Sequence, residues 1–192
     1  MSIVLASSSR YRAELLERLE LPFTAVSPEL DETPVAGEAP EVLVARLARG
    51  KAEAVARHYT DGLIIGSDQV ALIGQDVLGK PGTQKRARAQ LARLSGNEVR
   101  FLTGLCLINA ASGRHQLTVV ETPVRFRDLS KEEIADYVAR EKPLDCAGAF
   151  KSEGLGIALF KSIEGTDPNA LIGLPLIELC TMLKREGIPV IG

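Results

Sequence analysis

Asp68 closes the run Leu63-Ile64-Ile65-Gly66-Ser67-Asp68-Gln69, in which apolar side chains give way at once to a hydroxyl, a carboxylate and an amide. The run reads as a buried strand that delivers Asp68 at its carboxyl end. Ligands of open α/β sheets collect in the crevice outside such ends, so a carboxylate there is placed for chemistry. The plainer reading is an aspartate that caps a turn. The N-terminus repeats the design with the opposite charge. Ile3-Val4-Leu5-Ala6 is followed by Ser7-Ser8-Ser9-Arg10-Tyr11-Arg12 and then by Leu15, Leu16 and Leu19 on one side of a helix. The Ser7 and Ser8 hydroxyls, the free N–H groups of a helix start and the guanidiniums of Arg10 and Arg12 together compose a phosphate cradle. A cation at that helix end opposes the dipole by a few tenths to about 1 kcal/mol, and a bound anion reverses the sign. Two solvated arginines on an amphipathic helix account for this segment equally well.

The polar positions fall into two chemical sets. Arg12, Lys51 and Lys80 can neutralise a polyphosphate, while Glu32 and Asp68 offer hard oxygen ligands to a divalent ion such as magnesium or manganese. The combination suits phosphoryl transfer, in which the protein mainly positions a nucleophile and stabilises spreading negative charge. A carboxylate beside the metal can also take a proton from water, a contribution of typically about 10²–10⁴ in rate. Gly74 to Lys80 fits the opening of a P-loop, but Pro81 stands where that motif needs a metal-binding hydroxyl. Lys80 is then a point charge on a loop, for phosphate or for solvent.

The elements that must position these residues alternate along the chain. Phe23-Thr24-Ala25-Val26 reads as a strand running into the acidic turn Pro28 to Thr33. Pro40 opens a long helix that carries Val42, Leu43, Leu47, Ala48 and Val55 inward, with Lys51 on it. After the Asp68 strand, a hairpin through Val70 to Leu78 leads to Gly79-Lys80-Pro81. Thr83 and Gly96 bracket a basic helix. Phe101 to Asn109 and Gln116 to Phe126 are paired strands around Ala110-Ala111-Ser112-Gly113. Ser130 and Glu133 form a capping box for a helix ending near Arg140. Gly156 to Phe160 reads as a further strand, and Leu176, Leu179, Cys180 and Leu183 mark the face of a closing helix stopped by Gly187. The outline is mixed α/β in a single domain, residues 1–192.

The chain has 192 residues, 45% of them hydrophobic, and a net charge of −2, which describes a soluble globular protein. Aromatic residues make up 4% and the arginines are scattered, so a nucleic-acid partner is not expected. No segment has the length of a membrane span or the layout of a signal peptide, and a cytoplasmic location is expected. Cys106, Cys146 and Cys180 are odd in number and widely separated, which implies buried structural thiols rather than disulfides or a zinc site. His58 and His115 lack ligand spacing and read as surface residues.

Ser7-Ser8-Ser9, Asp31-Glu32-Thr33-Pro34, Lys51, Gly66-Ser67-Asp68-Gln69, Gly79-Lys80-Pro81 and Gly165, Asp167, Pro168, Asn169 resemble, in order and spacing, the Maf family of nucleoside-triphosphate pyrophosphatases. The resemblance runs essentially end to end. It implies a Maf/ITPase-like fold, a mixed twisted sheet with flanking helices and two lobes around a central cleft, and commonly a homodimer. It implies metal-dependent hydrolysis of a nucleoside triphosphate substrate to monophosphate and pyrophosphate, with Asp68 at the position of the family's proton acceptor. Phe150-Lys151-Ser152-Glu153-Gly154 looks like the branch acting on 7-methyl-GTP rather than that acting on dTTP and UTP. Tyr11, Gln69 and Glu153 correspond to that branch's specificity positions. N7 methylation gives the base a positive charge that the face of Tyr11 can hold, and Glu153 can accept from guanine's pairing edge. Two positions depart from the pattern: Arg10 stands where proline is usual, and Tyr11 where the branch can carry tryptophan. A regulatory nucleotide binder linked to division arrest and a broader house-cleaning hydrolase are the competing readings. Turnover abolished at Asp68 separates the enzyme from the binder.

Overall fold

The computed structural model describes residues 1–192. The chain folds into seven strands, β1 (Ile3–Ala6), β2 (Phe23–Val26), β3 (Leu63–Ile73), β4 (Asp76–Leu78), β5 (Glu98–Asn109), β6 (His115–Phe126) and β7 (Phe160–Ile163), and five α-helices. The helices are α1 (Arg10–Glu17), α2 (Pro40–Ala56), α3 (Gln84–Leu94), α4 (Lys131–Glu141) and α5 (Leu176–Arg185). The strands form one mixed sheet in the order β2-β1-β3-β5-β6-β7, with β4 paired to β3. β1 runs parallel to β2 and β3, whereas β4 and β7 pair antiparallel with β3 and β6. No helix is long and apolar enough to cross a membrane.

The chain forms two compact units, and β3, β5 and β6 contribute residues to each. The first comprises Met1–Asp68, Thr103–Val120 and Asp167–Gly192. In it both faces of the sheet are covered, which is why its strands read as unbroken apolar runs rather than alternating ones. Ile3, Leu5, Leu63 and Ile65 point one way and pack with Leu15 and Leu16 of α1 and with Leu176, Leu179 and Leu183 of α5. Val4, Ala6 and Ile64 point the other way, onto Ala48, Ala52 and Val55 of α2. Cys106 lies in this second layer, where burial pushes its thiol up to about 12.

Two glycines set how close α2 comes. A Cβ on Gly66 would fall onto the Ala48 carbonyl, and one on Gly104 onto the Val44 carbonyl. Helix backbone therefore rests directly on strand backbone, an approach open only to glycine. Val42, expected inward, is instead 56% exposed. The helix touches the sheet along Val44, Ala48 and Ala52, and Val42 falls on its outer side.

The second unit comprises Gln69–Leu102 and Glu121–Thr166. Its helices are capped as the sequence predicts: the Thr83 hydroxyl accepts the Arg86 N–H, and Ser130 with Glu133 makes a complete capping box. Ala87, Leu91 and Leu94 of α3 and Ile134, Tyr137 and Val138 of α4 are buried. Phe150 sits among Phe101, Phe126 and Phe160 in edge-to-face contacts, ring centroids 4.8 to 5.7 Å apart.

Three further expectations are corrected. Asp68 does not end its strand. β3 continues to Ile73 because Val70, Ala71 and Leu72 are again buried, the last two also paired with β4, so the polar triplet interrupts the apolar run and not the strand. The segment expected as a strand from Gly156 is a 3-10 turn, Leu155–Leu159, and β7 begins at Phe160. Gly156 is pressed against the Lys151 carbonyl, which folds this stretch back on its own loop. Among the thiols Cys106 alone is buried; Cys146 and Cys180 are half-buried, and none is paired. His58 and His115 are exposed.

Gly66→Ala and Gly104→Ala should each destabilise the fold by about 1–3 kcal/mol, the cost of forcing extra volume into a packed contact. Thermal unfolding should show a fall of roughly 2–4 °C per kcal/mol for a chain of this size. Unchanged melting would mean that α2 does not bear on the strands at these points.

Candidate active site

Lys51 lies one turn beyond Ala48 on α2, so the close contact at Gly66 carries its side chain down onto β3. Its ammonium is 2.6 Å from Asp68 Oδ1 and 3.0 Å from Glu32 Oε1. Lys51 and Asp68 are only 6% and 7% exposed, whereas the Glu32 side chain is 55% exposed. Glu32 is presented by a loop with supports of its own. The Asp31 carboxylate accepts the Thr33 N–H at 2.9 Å and its hydroxyl at 2.6 Å. Arg46 of α2 forks onto Glu38 at 2.6 and 2.8 Å and also reaches the Thr33 carbonyl at 3.2 Å. The Thr33 bonds lower the Asp31 carboxyl below the usual carboxylate range.

A main-chain carbonyl is the other organiser. Gly173 O accepts from Arg12 Nε at 2.8 Å and lies 2.9 Å from Ser67 Oγ, which is also 2.8 Å from Gly104 O. Burial lowers the Arg12 guanidinium from its ordinary value, and the charges of Asp68 and Glu32 oppose that shift. Gly173 has φ of 123°, a conformation that favours glycine. The turn holding it is fixed by Asp167, 1% exposed, whose two oxygens accept the Asn169 N–H at 2.8 Å and the Ile177 N–H at 2.6 Å. The second bond supplies α5 with an N-terminal cap that Pro175 cannot provide. Asn169 in turn accepts from Arg18 at 2.6 Å.

The first unit thus brings Arg12, Glu32, Lys51 and Asp68 together. Ser7 is buried and its hydroxyl accepts the Ser9 N–H at 3.1 Å; Ser9 caps α1, and Ser8 is exposed. Tyr11 is half-buried under the Arg10 guanidinium, 4.8 Å from its ring centroid. The second unit carries the other three positions. Gln69 is half-buried in β3, next to Asp68 in the chain, while Lys80 and Glu153 are exposed. The division into cations for phosphate and carboxylates for metal is less clean than residue types suggested, since Lys51 pairs with both carboxylates.

No three His, Cys, Asp or Glu side chains meet to form a metal cage. Magnesium does not need one. It binds through one or two carboxylates and fills its sphere with water and substrate phosphate. Glu32 and Asp68 converge on a single cationic group, so this donor set fits a divalent ion shared with a phosphate ligand.

Ser67 and Asp167 fall within the sequence motifs without a role of their own, and Gly173 falls in none. Gly173 works through its carbonyl, which no side-chain pattern reveals. Gly66 and Gly104 did leave a signal, glycine inside a strand pattern, which marks close backbone approach.

The mixed sheet and its helices define an α/β fold shared with the Ham1 protein of Staphylococcus aureus, at a TM-score of 0.54 and 15% identity over 97% of this chain and 100% of that one. A HAM1 protein of Coxiella burnetii superposes at a TM-score of 0.52 with 16% identity, covering 96% and 99%. Within that fold the chain belongs to the Maf family, whose model, described as Maf-like protein, matches residues 2–186. It is 57% identical to the 7-methyl-GTP pyrophosphatase of Chromohalobacter salexigens over 99% of this chain and 98% of that one. The proteins of the same name from Pseudomonas putida and Nitrosococcus oceani are 56% and 54% identical, each over 99% of this chain and over 99% and 96% of their own.

Lys51→Met should destabilise the fold by up to about 3–5 kcal/mol, because it leaves a buried carboxylate without its partner. Adding Asp68→Asn to it should recover most of that loss, and unfolding titrations of the two single variants and the double variant measure the coupling. Strictly additive losses would show that the ion pair does not matter to stability.

Proposed function

We propose that this chain is a nucleoside-triphosphate pyrophosphatase that hydrolyses 7-methyl-GTP to 7-methyl-GMP and pyrophosphate within the cytoplasmic nucleotide pool. The observation that carries the proposal is the buried carboxylate Asp68 bound to Lys51, in a chain more than half identical, end to end, to relatives that bear this name. Asp68 takes a proton from water. The water oxygen bonds to phosphorus as the anhydride bond between the α and β phosphates breaks, and pyrophosphate leaves with the electron pair. A divalent ion held by Glu32 and Asp68 would neutralise phosphate charge and lower the barrier to that departure.

Lys51 holds Asp68 in place and, with Arg12 and Lys80, supplies positive charge for the phosphates. Arg12 is oriented by Gly173 O, so its remaining guanidinium N–H groups are aimed before substrate arrives, the preorganisation from which electrostatic catalysis draws its advantage. Ser7 and Ser8 add donors at the start of α1. Tyr11 offers an aromatic face to the cationic base, Glu153 an acceptor to the guanine pairing edge, and Gln69 a further polar contact.

Product separation after hydrolysis in magnesium or manganese should show monophosphate and pyrophosphate, and chelation should stop the reaction. Stepwise orthophosphate release would exclude the proposed bond. Asp68→Asn keeps shape but loses basicity, and kcat, measured at a temperature where the variant is folded, should fall by at least about 10²-fold; melting should fall as well, since the buried Lys51 ammonium is left with Glu32 alone. Near-normal turnover in that variant would make Asp68 structural; tight nucleotide binding without turnover in the native chain would favour a regulatory binder.

Base selection is tested separately. Tyr11→Ala should lower kcat/KM on 7-methyl-GTP roughly ten- to hundredfold, from stacking worth about 1–3 kcal/mol, and Tyr11→Trp should preserve it. Glu153→Ala should cost a comparable amount and narrow the preference over UTP. A native preference for UTP or dTTP would leave only the general pyrophosphatase activity.

A further inference from the structure

Glu153 is exposed, and its carboxylate accepts from the Ser152 hydroxyl at 3.4 Å. The loop beneath it is held on both sides by α4. Lys151 N–H donates to the Tyr137 hydroxyl oxygen at 3.0 Å, and Leu155 N–H donates to a Glu141 carboxylate oxygen at 2.8 Å. The Lys151 ammonium folds back to the Glu141 main-chain carbonyl at 3.3 Å and stands 3.8 Å from its carboxylate. Gly154 lies so near that a Cβ there would come within 3.0 Å of the same carboxylate. On the entering side, Phe150 is locked among three rings, and the chain reaches it through Gly148 and Ala149 at φ of 76° and 59°. For alanine this is a costly conformation, since Cβ crowds the following carbonyl. Such outliers persist where the surroundings over-determine them, often beside ligand sites.

These anchors hold the backbone N–H groups of Lys151 and Leu155, the Lys151 ammonium and the Phe150 ring. The arrangement fixes the backbone under an outward-facing acceptor. We propose that Tyr137 and Glu141 are positioning residues for base selection: by holding the N–H groups of Lys151 and Leu155 they set the place of Glu153, and so the discrimination for a guanine-type base. This rests on the reading that Glu153 meets that base. Neither residue touches substrate. Tyr137 is buried, and that burial raises its phenol well above its ordinary value, so it remains a neutral acceptor.

The test is kcat/KM on 7-methyl-GTP and UTP for the native chain and for Tyr137→Phe, Glu141→Ala, Glu141→Gln, Glu153→Ala and the double variant Glu141→Ala/Glu153→Ala, with melting recorded for each. Tyr137→Phe and Glu141→Ala should lower efficiency on 7-methyl-GTP about tenfold, chiefly through KM, and leave UTP within about twofold. Glu141→Gln keeps an acceptor oxygen for Leu155 N–H and should retain most of the preference. The double variant should discriminate no worse than Glu153→Ala alone, because the two act through one contact. Loss of preference in Glu153→Ala with full preference in Tyr137→Phe and Glu141→Ala overturns the positioning role and leaves the base contact standing. Unchanged preference in Glu153→Ala overturns both. Equal losses on both nucleotides mark α4 as a general support and also overturn it. Should Glu141→Ala fail to fold, Tyr137→Phe and Glu141→Gln carry the same comparison.

Discussion

The contact between Lys51 and Asp68 is the constraint to which much of the first unit answers. Removing two charges from water costs several kcal/mol each, and their attraction offsets this only when geometry is close and the remaining polar atoms are satisfied. Here the ammonium meets a second carboxylate, Glu32, and the neighbouring Ser67 hydroxyl has two carbonyls within reach. The pair also needs α2 to lie almost on the sheet. That proximity comes from absent side chains at Gly66 and Gly104, and a lysine is long enough to span what separation remains.

Polar atoms are handled by a common device in both units: a carboxylate or carbonyl receives main-chain donors from a loop and fixes the loop's shape. Asp167 does so for the turn that carries Gly173, and Glu141 for the segment after Glu153. Arg46 performs the converse task, donating to Glu38 and to the Thr33 carbonyl beside Glu32. The loops that present Glu32 and Glu153 thereby take their shape from neighbouring residues, whereas Lys51, Asp68 and Arg12 are themselves tied by internal contacts.

Legibility in the sequence followed physical locality. The β1 run, the Pro40 start of α2 and the Ser130–Glu133 box are signals confined to a few neighbouring residues, and each appears in the structure with nearly the expected bounds. The end of β3 was misplaced because a polar triplet normally stops a buried strand. Here Lys51 and distant carbonyls satisfy it, and nothing near Asp68 in the chain announces them. The stretch after Gly156 failed for a similar reason, since an apolar run does not disclose that its first glycine is wedged against a carbonyl five residues back. Of the candidate positions, Asp68, Lys51 and Glu32 were legible as charges in unusual company. Arg12 was legible as a cation at a helix start, but its tie to Gly173 was not, because a glycine's carbonyl leaves no trace in residue type.

The separations behind that tie have a consequence for biogenesis. Ser67 takes its two carbonyl partners from 37 and 106 residues away, and Arg12 reaches 161 residues to Gly173. Loop closure itself adds only about 0.6 kcal/mol for each doubling of length, so equilibrium tolerates such spans readily. Synthesis is a different matter. A chain emerging N-terminus first at roughly 5–20 residues per second has its serines, Arg12, Glu32, Lys51 and Asp68 in the open well before the Asp167 turn leaves the ribosome. Until then the guanidinium lacks its anchor and Ser67 one of its acceptors. An immature polypeptide therefore carries the charges of the finished site without their alignment, and completion of the C-terminal segment is the event that gives them a common geometry.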